Sequence, residues 1–188
     1  MKIALLGVWH VHATDYTAAA LKHGAEVIGF YEKDDTLAES YMKRYSIHRF
    51  KTREELLESP AEGVIVCSST EDHTEDIIAA AKAKKSIFTE KVLALTDQEC
   101  EKIEKAITKC NVSFTISMPQ KYLASRIAVK GIVDSGELGK ILYLRFRNCH
   151  SGSSDNWLPA HFYNRKQCGG GAMIDLGAHG MYTINWLT

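Results

Sequence analysis

The chain has 188 residues, enough for one or two domains, and 45% of them are hydrophobic, the share of an ordinary globular core. Its 23 basic and 23 acidic residues cancel, so nucleic acid and acidic membrane surfaces are not the expected partners. The local cluster Lys82, Lys84 and Lys85 falls at the end of a predicted helix, where cations suit the macrodipole and face water.

The five cysteines form no C-x-x-C pair, and an odd number cannot all pair within one chain, so reduced thiols and a cytoplasmic location are expected. The start, Met1 to Gly7, lacks the apolar length and cleavage site of a signal peptide. No apolar run approaches the roughly 18 residues of a membrane span.

In chain order, Ile3–Leu6 reads as a buried strand and Thr14 to His23 as a helix stopped by Gly24. Val27–Tyr31 is the next strand and Leu37 to Tyr45 the next helix. Thr52-Arg53-Glu54-Glu55 is a capping box that opens a short helix. Val64–Cys67 is a strand, Asp72 to Lys84 a helix, and Ile87–Thr89 a short strand. A second capping box at Thr96-Asp97-Gln98-Glu99 opens a helix to Lys109, and Val112–Ser117 closes the series. Apolar strands separated by such helices predict parallel βαβ units, hence a doubly wound dinucleotide-binding domain over 1–118.

The texture then changes. Ala124–Ser135 is helical, and Ile141–Asn148 alternates, with Leu142, Leu144 and Phe146 opposite Tyr143, Arg145 and Arg147. That alternation predicts a strand with one wet face, as in an antiparallel sheet. A final helix, Ala172 to Leu187, follows Gly169-Gly170-Gly171. Residues 119–188 therefore read as the start of a second, α+β domain.

Several residues carry chemistry. The first turn, Gly7-Val8-Trp9-His10-Val11-His12, keeps one glycine of a G-x-G-x-x-G fingerprint. Glu32, about twenty-five residues on, suits the ribose hydroxyls of an adenosine and repels a 2′-phosphate; a solvated turn carboxylate is the alternative. His10 and His12 invite a metal reading, but two imidazoles at this spacing say little without further ligands. Lys91 ends a strand, where α/β sheets place ligands, and Asp175 and His179 share one helix face. A lysine and a histidine can orient a hydroxyl and take its proton while hydride leaves its carbon, with the carboxylate holding the imidazole.

The stretch from Val64 to Thr96, with His73 after one strand and Glu90-Lys91-Val92 after the next, resembles the Gfo/Idh/MocA family of nicotinamide-dependent oxidoreductases. So do Gly169-Gly170-Gly171 with Asp175-x-Gly177-x-His179, and the helix end Ile132 to Gly139. Val92 stands where the family has proline, and Lys121-Tyr122 where many members have arginine and an aromatic.

The resemblance implies a Rossmann-type sheet, an incomplete substrate domain, and hydride transfer between NAD, with NADP open, and a sugar, cyclitol or related polyol. It implies Lys91, Asp175 and His179 at the reacting carbon, with Tyr122 beside the substrate. Around the cofactor it implies Gly7, Val8, Trp9, His10 and Glu32, together with Ser68, Ser69, Thr70, His73 and Glu90. No metal is expected. Two rival readings stand: a nucleotide-binding protein without turnover, and a metal-dependent hydrolase on His10 and His12. Because the chain lays down a single second-domain strand, homo-oligomers through 141–148 are expected.

Overall fold

The structure, a computed structural model, describes residues 1–188. Five parallel strands form one sheet: β1 (Lys2–Leu6), β2 (Glu26–Tyr31), β3 (Gly63–Val66), β4 (Ser86–Thr89) and β5 (Phe114–Ile116). Their order is β2-β1-β3-β4-β5. A further piece of backbone extends the β2 edge: Phe30 N–H donates to His48 O at 3.0 Å and Phe50 N–H to Phe30 O at 2.8 Å. With 48–50 counted beside β2, the order is the Rossmann one, and the chain reverses its direction of winding between β1 and β3. Gly29 permits this edge, since a Cβ there would overlap the Phe50 ring. No apolar run marks His48-Arg49-Phe50, so the sequence reading passes over it.

Alternate residues of each strand enter different cores. Ala4, Leu6, Val64, Val66 and Ile87 pack on one face with α3 (Arg53–Glu58), α4 (Thr70–Lys82) and α5 (Asp97–Cys110). Leu5 and Phe30 pack on the other with α1 (Ala13–Lys22) and α2 (Asp35–Tyr45). Covering both faces is why the strands read as continuous apolar runs. The helix starts follow the capping signals. At α5, Thr96 Oγ1 accepts from Glu99 N–H at 3.3 Å and Glu99 accepts from Thr96 N–H at 3.0 Å. At α3, Thr52 accepts from Glu55 N–H at 3.1 Å, but Glu55 reaches past the cap to Lys51 N–H at 2.8 Å.

Beyond the sheet come α6 (Ala124–Asp134), a single turn α7 (Arg165–Cys168) and α8 (Ala172–Leu187). The predicted strand Ile141–Asn148 joins no sheet. It runs along helices instead. Phe146 lies against Gly180 of α8 and under the Arg126 guanidinium, 4.9 Å from its ring centre, and Asn148 donates to Leu176 O at 3.4 Å. The alternation survives at Leu144 and Phe146, which are half-buried, whereas Leu142 is 87% exposed. Alternation reports which side chains turn inward; a ladder also needs a neighbouring strand, and none lies alongside.

Candidate active site

The reversal between β1 and β3 opens a crevice at the carboxyl ends of the strands. Gly7 turns the chain there at φ 78°, and a Cβ on it would overlap the Ser68 backbone. Only glycine combines that conformation with that approach. The turn delivers Val8 N–H to Glu32 at 2.8 Å, and Asp34 N–H reaches the other carboxylate oxygen at 3.0 Å. Glu32 is buried, and burial raises its pKa while these backbone donors pull the other way. The crevice, about 260 Å³, is lined by Gly7, Glu32, Lys33, Ser68, Ser69 and Asp72 among others. Lys33 is held by Asp72 at 2.5 Å, and the Ser69 hydroxyl donates to the same oxygen at 2.5 Å. Ser68 Oγ is buried with no partner in the chain.

Trp9 occupies the position of the missing second glycine. Its ring stacks on Phe162 with centroids 4.6 Å apart, and its Nε1–H donates to Gln167 Oε1 at 3.3 Å. His161 Nε2–H donates to Trp9 O at 2.9 Å. The indole is thus drawn toward residues 161–167 and forms a wall shared by the crevice and a second cavity of about 180 Å³. Lys91, Asp175, His10 and Thr70 line that second cavity.

Glu90 ends β4 fully buried. Its carboxylate takes the Tyr16 hydroxyl, lies 3.5 Å from His12 Nδ1 and 4.0 Å from His10 Nε2. Burial alone would raise its pKa, but His12, His10 and Tyr16 outweigh it and hold Glu90 down at about 2. Hydrogen bonding to Glu90 raises the His12 pKa, while burial lowers that of His10 to about 3. The three side chains could in principle hold an ion, their ligand atoms lying within 4.8 Å of one another. A ligating imidazole turns a lone pair to the metal and donates its other N–H. His10 Nδ1 instead accepts His12 N–H at 3.2 Å, which places the ring proton on Nε2, the nitrogen facing Glu90. The cluster is built as an ion pair of buried Glu90 with His12.

Lys91 is buried and its ammonium bonds the Asp175 carboxylate, with Asp175 O also at 3.2 Å. The Lys91–Val92 peptide is cis. Asp175 thus serves Lys91, not His179 as the shared helix face suggested. His179 Nδ1 bonds the Tyr182 hydroxyl at 2.8 Å instead. Burial, then the Lys91 charge, lowers the His179 pKa, so the imidazole is not pushed toward its charged form. A carboxylate reached by an ammonium from a second element has that stronger partner and leaves its helix neighbour to another group.

His73 is 1% exposed and touches only backbone: Nδ1 lies 3.0 Å from Val92 O and Nε2 3.2 Å from Ser68 O. It ties the ends of β3 and β4 together behind the crevice. Tyr122 is 76% exposed and lines neither cavity, because its turn presents Gln120 N–H inward, to Tyr182, instead. Sequence reading missed Tyr16, Phe162, His161 and Tyr182, whose partners are distant in the chain or set by a tertiary contact.

A parallel sheet of this order with a glycine turn and an acid in its crevice is the dinucleotide-binding class of fold. Residues 1–118 match the family described as "Oxidoreductase family, NAD-binding Rossmann fold", and residues 127–188 match the "GFO/IDH/MocA C-terminal domain". The chain belongs to the Gfo/Idh/MocA family. It is 32% identical over 148 residues to a myo-inositol 2-dehydrogenase of Thermotoga maritima, covering 78% of this chain and 42% of that one. It is 26% identical over 144 residues to a glucose-6-phosphate 3-dehydrogenase of Bacillus subtilis, covering 77% and 41%. The chain thus spans less than half the length of these relatives. Among solved structures, the WlbA dehydrogenase of Bordetella pertussis with NADH and UDP-GlcNAcA superposes with TM-score 0.83 at 17% identity, over 100% of this chain and 57% of that one. Likeness at that identity speaks for the fold.

Proposed function

We propose that this chain carries the cofactor-binding half, residues 1–118, and the start of the substrate half, 119–188, of an NAD-dependent dehydrogenase acting on a CH–OH carbon of a sugar, cyclitol or related polyol. The observation that carries the reading is the buried Lys91–Asp175 pair on a cavity that shares the Trp9 wall with the Glu32 crevice. Relatives that act on inositol and glucose 6-phosphate support the substrate class.

The residues fit a dinucleotide. Ser68 Oγ is a buried polar atom with no partner in the chain, and Gly7 and Ser68 both line the crevice. Glu32 would hold ribose hydroxyls, with Gly7 to His10 and Ser68 to Thr70 as walls; His73 and Glu90 act behind them. Bound NAD supplies a hydride acceptor. Lys91 orients the substrate hydroxyl, Asp175 fixes Lys91, and His179 approaches from α8. A cytoplasmic location and homo-oligomers through the 141–148 segment belong to the same reading.

Calorimetric titration of NAD and NADP, followed by a turnover screen on polyols, tests it. Binding with no turnover on any polyol favours a nucleotide-binding protein without catalysis. Stoichiometric metal in the purified protein, with loss of hydrolysis on its removal, favours a hydrolase on His10, His12 and Glu90.

A further inference from the structure

Resting on the dehydrogenase reading, we propose that Tyr182 is a positioning residue that locks His179 in one tautomer, so that His179 holds the reacting oxygen and Lys91 exchanges its proton. Tyr182 stands one turn after His179 on α8. Its oxygen accepts Gln120 N–H at 3.1 Å and lies 2.8 Å from His179 Nδ1. A phenol has one proton to give. If that proton goes to Nδ1, the amide, the phenol and Nδ1 are all satisfied by chain atoms, and only the Nε2–H is left for another partner. If Nδ1–H donated instead, both the phenol proton and the Nε2 lone pair would have no partner in the chain. The ring proton of neutral His179 therefore sits on Nε2, the ring nitrogen that Tyr182 does not engage.

An Nε2–H can donate to a substrate oxygen but cannot take a proton from it. In alcohol oxidation the Lys91 ammonium first passes one proton to solvent; the C–H bond then breaks with its electron pair passing to NAD, and the O–H proton passes to the Lys91 amine. Asp175, already bonded to Nζ, stabilises the ammonium that forms. His179 keeps its hydrogen bond to the oxygen as the carbonyl forms, and atoms and charge balance without a proton at Nδ1. The reverse reaction uses the Lys91 ammonium as donor.

Long-range proton–nitrogen NMR of the full chain with labelled histidine reads the tautomer without any turnover, so it stands whether or not a polyol substrate is found. His179 is assigned by its disappearance in His179→Gln. The expected result is an Nε2–H pattern in the parent protein and a mixture in Tyr182→Phe. With substrate, Tyr182→Phe should lower kcat about tenfold, the scale of one hydrogen bond, with KM within about twofold. His179→Gln, which keeps an N–H donor but no ring base, should retain about tenfold more activity than His179→Ala. An Nδ1–H pattern in the parent protein, a tautomer unchanged in Tyr182→Phe, or equal losses in His179→Gln and His179→Ala would each overturn the proposal.

Discussion

The sheet region and the region after it bury their residues in different ways. Through residue 118 burial centres on the middle of the sheet, where seven of the nine residues of β1 and β3 are buried because crossover helices close both faces. Beyond it only Gly152, His179, Gly180, Thr183 and Leu187 reach that state, four of them on α8. A parallel sheet wound with its own helices makes its core from neighbours in sequence. The second region has no such partner and buries what it can where α8 and residues 161–168 meet the sheet's carboxyl edge. The ion pair between Lys166 and Glu71 at 2.9 Å and the Trp9–Phe162 stack mark the same seam. The candidate site lies on it: Lys91 comes from one region, Asp175 and His179 from the other.

If the seam is the site, breaking it across Lys91 gives the largest effect. Lys91→Ala should cut turnover on the true substrate by about 10² to 10⁴-fold while cofactor affinity moves only a few-fold. Near-normal turnover in that variant would move the chemistry elsewhere. Stability should respond in the other region. Phe30 is fully buried, and Phe30→Ala should cost about 3–5 kcal/mol in denaturant unfolding. Phe146→Ala, on the half-buried segment against α8, should cost about 1 kcal/mol. Equal losses would mean that the second region closes a core as complete as the first.

Acid should test the seam through His10. Its folded-state pKa is lowered from 6.5 to about 3, so the unfolded chain binds the proton more readily. The stability it contributes is therefore present above about 6.5 and lost as pH falls toward 3, on the order of a few kcal/mol. Asp76 works in the opposite sense. Burial raises it from 3.8 to about 6, so its contribution is present below 3.8 and lost as pH rises through 6. His10→Asn should make stability rise less steeply between pH 3 and 6.5 than in the parent protein. An unchanged slope would show that His10 is not held neutral in the folded state.

Cofactor choice is the next effect in size. Glu32 is pinned by Val8 and Asp34 N–H groups, and Lys33, the cation that would soften a clash with a 2′-phosphate, is engaged by Asp72. NAD should therefore bind about a hundredfold more tightly than NADP. Equal affinity in a titration would mean that Lys33 leaves Asp72 for the phosphate.

The first region was legible because its signals are local. Apolar runs, caps such as Thr96 with Glu99, and Gly7 each act within a few residues. The 48–50 edge was not, since two backbone bonds to Phe30 make it and no side-chain pattern records them. In the site, Lys91, Asp175 and His179 could be named from the family motif, but their pairing could not. Asp175 and His179 do share a helix face, yet which partner each takes depends on Lys91 and Tyr182 arriving from the fold. Tyr16 meets Glu90 across 74 residues, a distance over which spacing carries no information.

The smallest expected effect bears on the second region alone. Leu142 is 87% exposed, so in a dilute single chain Leu142→Ala should change stability by less than about 0.5 kcal/mol. The proposed association through 141–148 changes that expectation with concentration. A segment outside any sheet with Leu142 and Tyr143 turned to water offers apolar surface for association. If copies pair there, Leu142 passes from solvent to an interface, and its burial is worth on the order of 1.5–3 kcal/mol. Leu142→Asp should then shift light scattering toward the monomer at concentrations where the parent protein associates, while the melting of the dilute protein stays unchanged. Identical scattering in both proteins would show that Leu142 faces water in solution as it does in the single chain, and would leave α8, not the 141–148 segment, as the place where the second region finds its partners.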